Sequence, residues 1–129
     1  MSFFKAIFGI CNSPKLDESL WRYEGGSIFL DEIAFDKQNV VGVYMKGQCL
    51  PDPVLLYRGD DGVLRAARNV CPHAKRKIDP LPGSSKLRCC SVSHSDFGYD
   101  GKKINGPAND NLVVYSVKSE NGKIQIPVK

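Results

Sequence analysis

Two histidines occur in this 129-residue chain, and each lies close to a cysteine. His73 belongs to Cys71-Pro72-His73, and His94 follows Cys90 after three intervening residues. Two loops that each offer one thiolate and one imidazole form a four-ligand site if they face each other. Soft sulfur combined with imidazole suits zinc or an iron–sulfur cluster, and poorly suits magnesium or calcium, which want oxygen. The Cys-x-His spacing brings both side chains to one region without a helix, and the proline between them stiffens the turn. Cys89 competes with Cys90 for the ligand role. Neighbouring side chains on a strand point to opposite faces, so one of the two faces the site. Cys90 has the shorter reach to His94 and is assigned; Cys89 is read as an ordinary buried thiol. Cys11 and Cys49 belong to no spacing pattern.

The elements that must position these residues read as strands. Residues 27–33, 40–44 and 54–58 are short β-branched or aromatic runs ended by Gly, Pro or Asp. Gly59-Asp60-Asp61-Gly62 marks a hairpin turn, with 63–70 as its return strand. Residues 71–85 and 91–98 read as loops, with a short strand at 86–90 between them. Residues 112–117, the Asn121-Gly122 turn and 123–128 make a closing hairpin with clear alternation. The only helical signal after residue 25 is a single turn near 31–36. The fold class expected is all-β and antiparallel.

Composition narrows the function classes. Hydrophobic residues make up 42% and charged residues 25%, close to the globular average, which excludes a disordered or collagen-like chain. No apolar run approaches the ~20 residues that a membrane helix needs. The sequence is therefore read as one soluble domain. Net charge is +4, which suits an acidic protein partner but falls short of a dedicated nucleic-acid binder. Five cysteines, an odd number with two adjacent, favour a reducing compartment and metal chemistry over a disulfide scaffold.

The run from Leu56 through the Gly59–Gly62 turn to Cys71-Pro72-His73 resembles the hairpin and first cluster loop of the Rieske family. Tyr99-Asp100-Gly101, Gly106-Pro107-Ala108 and the Asn121-Gly122 hairpin are similar to that family's closing segment, the Gly-Pro-Ala resembling its proline loop. The resemblance implies a Rieske-like β sandwich or partial barrel over 27–129, with cluster-binding loops at about 68–108 and residues 1–26 as an N-terminal extension. It also implies a 2Fe-2S cluster, with Cys71 and Cys90 on one iron and His73 and His94 on the other. The chain departs from the family pattern at specific places. The second pair is Cys-x3-His rather than Cys-x2-His, and counting back from Tyr99 puts the family's histidine one position away from His94. Lys75 and Ser95 stand where glycines are usual, and no extra cysteine bridges the two loops.

The function expected is that of a one-electron carrier, either ferredoxin-like or a subunit of an oxidoreductase or respiratory complex, rather than a stand-alone enzyme. The alternative is a non-catalytic accessory subunit of a larger complex, such as a mitochondrial respiratory one, that keeps the fold without a working cluster, its site empty; a third reading is a small interaction module holding zinc on the same four ligands. Lys75-Arg76-Lys77 reads either as a solvated loop or as a docking patch for an acidic redox partner. No aromatic residues interleave with these basic residues, which argues against nucleic acid. Residues 1–16 hold Phe3, Phe4, Ile7, Phe8 and Ile10 on one face with no acid, a pattern suited to peripheral association with a membrane complex. The expected location is a reducing interior, cytosol or mitochondrion.

Overall fold

The computed structural model describes residues 12–72, 75–90 and 95–128. Among the described residues the architecture is nearly all-β, with three antiparallel four-stranded sheets and one short α-helix, α1 (Glu32–Asp36). The central sheet is ordered β10-β5-β4-β3, from β3 (Gly42–Met45), β4 (Val54–Arg58), β5 (Leu64–Arg68) and β10 (Val114–Tyr115). A second sheet is ordered β1-β2-β12-β11, from β1 (Trp21–Glu24), β2 (Ser27–Asp31), β11 (Lys118–Glu120) and β12 (Lys123–Pro127). The third is ordered β6-β7-β8-β9, from β6 (Ile78–Leu81), β7 (Lys86–Cys89), β8 (Asp96–Gly98) and β9 (Lys103–Asn105).

The alternation of β4 explains how three sheets share one domain. Side chains on a strand point alternately to opposite faces, and β4 is apolar on both. Val54 and Leu56 enter one apolar cluster with Ile28, Leu30, Ile124 and Ile126 of the second sheet. Leu55 and Tyr57 enter another with Ile78, Leu87 and Phe97 of the third. Ala66 and Ala67 of β5 divide in the same way. The central sheet is thus buried on both sides, one side built for stability and the other carrying Cys71 and Cys89.

Four segments differ from the sequence expectation. β6 lies inside the stretch read as a loop, and β8 inside the second loop; β8 is only three residues long. The final stretch does not form one hairpin. β10 pairs with β5 of the central sheet, whereas β11 and β12 join the second sheet. β1, which lies in the N-terminal extension of the sequence reading, pairs along its whole length with β2. Leu16 also packs in the first cluster at 1% exposure.

Two turns are fastened to each other at the end of the strands away from the cysteines. The Asp60 carboxylate accepts N–H bonds from Gly83 and Ser85 in the β6–β7 turn, at 3.0 and 2.8 Å. Its own N–H donates to the Tyr99 hydroxyl at 3.0 Å. The Gly83 and then the Ser85 amides hold the Asp60 carboxyl below its ordinary range. Beside it, a two-pronged bond from Arg65 holds the Asp61 carboxyl lower still.

Candidate metal centre

Cys71 follows β5 and Cys90 follows β7, so each stands just past the end of a strand. Both are fully buried. Backbone hydrogen bonds tie Cys71 to Lys75 and Arg76. The Lys75 N–H donates to the Cys71 carbonyl at 2.9 Å, and the Cys71 N–H donates to the Arg76 carbonyl at 2.7 Å. The Cys90 N–H then donates to the Lys77 carbonyl at 2.9 Å. Two cysteines far apart in sequence are therefore held on neighbouring carbonyls of one short segment. Cys71 and Cys49 carry free thiols, Cys71 within the second apolar cluster and Cys49 exposed.

Cys90 is disulfide-bonded. A sulfur in a disulfide cannot act as a thiolate, so that bond and metal ligation by Cys90 exclude one another. Cys89 is buried in the apolar cluster that holds Cys71, and its N–H donates to the Ser95 carbonyl at 2.9 Å. His73 and His94 lie outside the described residues, as does the apolar N-terminal segment up to residue 11.

Three polar residues that the sequence reading did not single out as structural supports fasten segments around the site: Asn69 and Ser95 at the loops, and Asp79 at the N-terminal segment. Asn69, 4% exposed, accepts the Ile78 N–H on its side-chain oxygen at 2.7 Å and so fastens the base of the loop carrying Cys71 to β6. Ser95 is fully buried, and its hydroxyl accepts the Ala108 N–H at 3.0 Å. A side chain where the resemblance leads one to expect glycine thus anchors the Gly106-Pro107-Ala108 segment. Asp79 on β6 accepts the N–H groups of Asn12 and Ser13, both at 3.2 Å, and the Ser13 hydroxyl. Burial pushes its carboxyl up, against the opposing effect of those bonds. The sequence marked Ser95 as a departure from glycine but not as an anchor, and nothing in it pointed to Asp79.

The Lys75 backbone adopts φ +55°, the left-handed region that favours glycine. The expectation that glycine suits this position thus has a visible conformational basis, and the chain places a lysine there nonetheless.

The Rieske 2Fe-2S domain model matches residues 31–117. The chain belongs to the Rieske family. No curated protein matches it. Among solved structures it is similar to the cyanobacterial plasma membrane Rieske protein PetC3 from Synechocystis PCC 6803. That likeness has a TM-score of 0.57 and 22% identity, covering 71% of this chain and 91% of the other. It is also similar to the quaternary ammonium Rieske monooxygenase CntA crystallised with L-carnitine, at TM-score 0.52 and 22% identity. There the match covers 69% of this chain but only 28% of the monooxygenase. At these identities the likeness speaks for the fold. Membership of the Rieske family is what brings a 2Fe-2S cluster and an electron-carrying role. The donors described here fit that group in kind, with one buried free thiol and a second buried sulfur that becomes a donor when its disulfide is reduced.

Proposed function

We propose that this chain shuttles single electrons as a ferredoxin-like carrier or as one subunit of a larger oxidoreductase, with no catalysis of its own. Cys71 and Cys90 would hold one iron of the 2Fe-2S cluster and His73 and His94 the other. Mixed Cys/His ligation gives a higher reduction potential than thiolates alone. The observation that carries this reading is the anchoring of both cysteines on the adjacent Arg76 and Lys77 carbonyls, within a chain of the Rieske family. The chain's own residues supply the frame: Asn69 fixes the first loop, and Ser95 fixes the segment beside the second. Burial of Cys71 and Cys90 keeps bulk water from their sulfurs. Ligation requires Cys90 reduced, which suits a reducing compartment such as the cytosol or the mitochondrion.

The test is iron, acid-labile sulfide and zinc per chain on anaerobically purified, thiol-reduced protein, read beside its reduced-state EPR spectrum. The reading expects about two irons and two sulfides with a rhombic signal of low average g. A folded, reduced sample that contains no iron and resists reconstitution would establish the accessory-subunit alternative, and about one zinc per chain would establish a zinc site.

A further inference from the structure

The exposed cations nearest to the cysteines are Lys75, Arg76 and Lys77. Each is bound through its backbone to one of those cysteines, Lys75 and Arg76 to Cys71 and Lys77 to Cys90. A charge run on a solvated loop has no such fixed relation to a buried site. Lys77 is committed within the fold: its ammonium donates to the Tyr44 hydroxyl at 3.1 Å and sits 4.3 Å from that ring's centroid. Among the described residues, Lys75 and Arg76 enter no ion pair. Two uncompensated positive charges therefore stand at the rim of the site on a backbone that holds them in place. One of them occupies a left-handed position that glycine would take without strain.

Beside them opens a cleft of about 400 Å³ in which Val70, Cys71 and Pro72 meet Lys75. Val113, 45% exposed, adds a further apolar surface. Arg68 also lines the cleft but is paired with Asp52 at 3.3 Å, and Asp110 supplies one carboxylate. The lining mixes apolar side chains with charged and amide ones, and among the described residues its free cation is Lys75. Among the described residues no aromatic side chain lines the cleft, which gives nucleotide bases no stacking surface there. A second copy docked face to face would set its own Lys75 and Arg76 against these two cations, like charge against like.

We propose that Lys75, Arg76 and the cleft beside Cys71 form the docking surface for an acidic protein electron-transfer partner, whose carboxylates would face the two cations. The inference rests on the electron-carrier reading for its purpose, but the binding surface can be measured separately.

The experiment titrates the full chain by calorimetry with an acidic plant-type 2Fe-2S ferredoxin as probe, at low salt and again at ~0.2 M salt. Iron and sulfide are assayed on the same preparation. The variants are Lys75→Glu/Arg76→Glu, Lys75→Gly, and Lys118→Glu on strand β11 of the second sheet as a charge-reversal control with half the charge change of the double variant. Binding at low salt should weaken about tenfold or more in the double variant and lose most of its salt dependence. Lys75→Gly should weaken it by a smaller factor while raising Tm, which separates lost charge from lost structure. Lys118→Glu should stay within about twofold of the parent. The proposal is overturned if the parent does not bind the probe at low salt, or if Lys118→Glu weakens binding as much as the double variant. Tighter binding of a single-stranded DNA oligomer than of the ferredoxin would also overturn it. Iron-loaded protein with an inert patch would refute the docking surface alone; an active patch on iron-free protein would refute the carrier reading alone.

Discussion

Cys71 and Cys90, nineteen positions apart, donate their backbone N–H groups to the consecutive carbonyls of Arg76 and Lys77. Backbone hydrogen bonds thus set the spacing between the two sulfur-bearing residues, and a metal has only to occupy what they frame. Cys71→Ala should therefore abolish cluster absorption in the visible region and drop iron per chain towards zero, while the far-UV β signal persists. The stability cost should stay below about 2 kcal/mol, because one sulfur is removed and the hydrogen bonds are untouched. Loss of the β signal itself would show that the thiol is needed for folding.

Asp79 gives the fold a pH dependence. The residue is 8% exposed and its carboxyl titrates above the ordinary value of 3.8, because burial disfavours the charged form. The neutral form is the one the fold prefers. The corresponding stability is fully present below pH 3.8 and is lost as pH rises through the raised value. Asp79→Asn removes the titration and one acceptor. Urea titrations should show the parent's advantage over this variant to be larger at pH 4 than at pH 7. An advantage that grew with pH would mean the carboxylate is favoured in the fold.

Arg88 and Asp96 face each other across β7 and β8, and the guanidinium donates to both carboxylate oxygens at 2.7 and 3.1 Å. The Asp96 side chain is 2% exposed, that of Arg88 28%. Breaking so enclosed a pair strands the remaining partner. Asp96→Ala should cost about 2–4 kcal/mol by chemical denaturation, at the lower end of buried pairs because Arg88 still reaches solvent. Arg88→Lys should lose about half of that, since an ammonium cannot reproduce the two-pronged bond.

Gly101 and Gly122 separate two causes of glycine dependence. Both have positive φ, +87° and +75°. A Cβ at Gly122 would meet open space, whereas one at Gly101 would collide with the Leu112 carbonyl oxygen. Gly122→Ala should cost about 1 kcal/mol from conformation alone. Gly101→Ala should cost at least ~2 kcal/mol, because the Leu112 carbonyl belongs to the backbone and cannot swing aside. Equal losses of Tm for the two would show that the collision is relieved.

The strands of the central sheet were legible because β4 is bounded by turn residues and every residue from Val54 to Tyr57 is apolar or aromatic. β6 was hidden by Pro80. A proline without an N–H is tolerated on an edge strand, and β6 is the edge of its sheet. β8 was hidden by Asp96, a charge that reads as loop until Arg88 is seen opposite. The separation of β10 from β11 depends on pairing with β5 across the chain, which no local pattern encodes. At the site, the sequence indicated Cys71 and Cys90 by their spacing from the histidines. It could not show that neighbouring carbonyls hold them, because backbone bonds leave no side-chain signature.

The clasp formed by Asp60 with Gly83 and Ser85 lies where β4 turns into β5 and β6 into β7, the far end of those strands from Cys71 and Cys90. Two leaves joined along one margin gape at the other. Breathing of the domain should therefore begin at the cysteine-bearing margin, with the clasp as its fulcrum. Hydrogen exchange would register this as slow turnover of the Gly83 and Ser85 amides beside faster turnover of the Cys71 and Cys90 amides. Loading and loss of a cofactor would then proceed by parting one rim, while the rest of the protein stays folded.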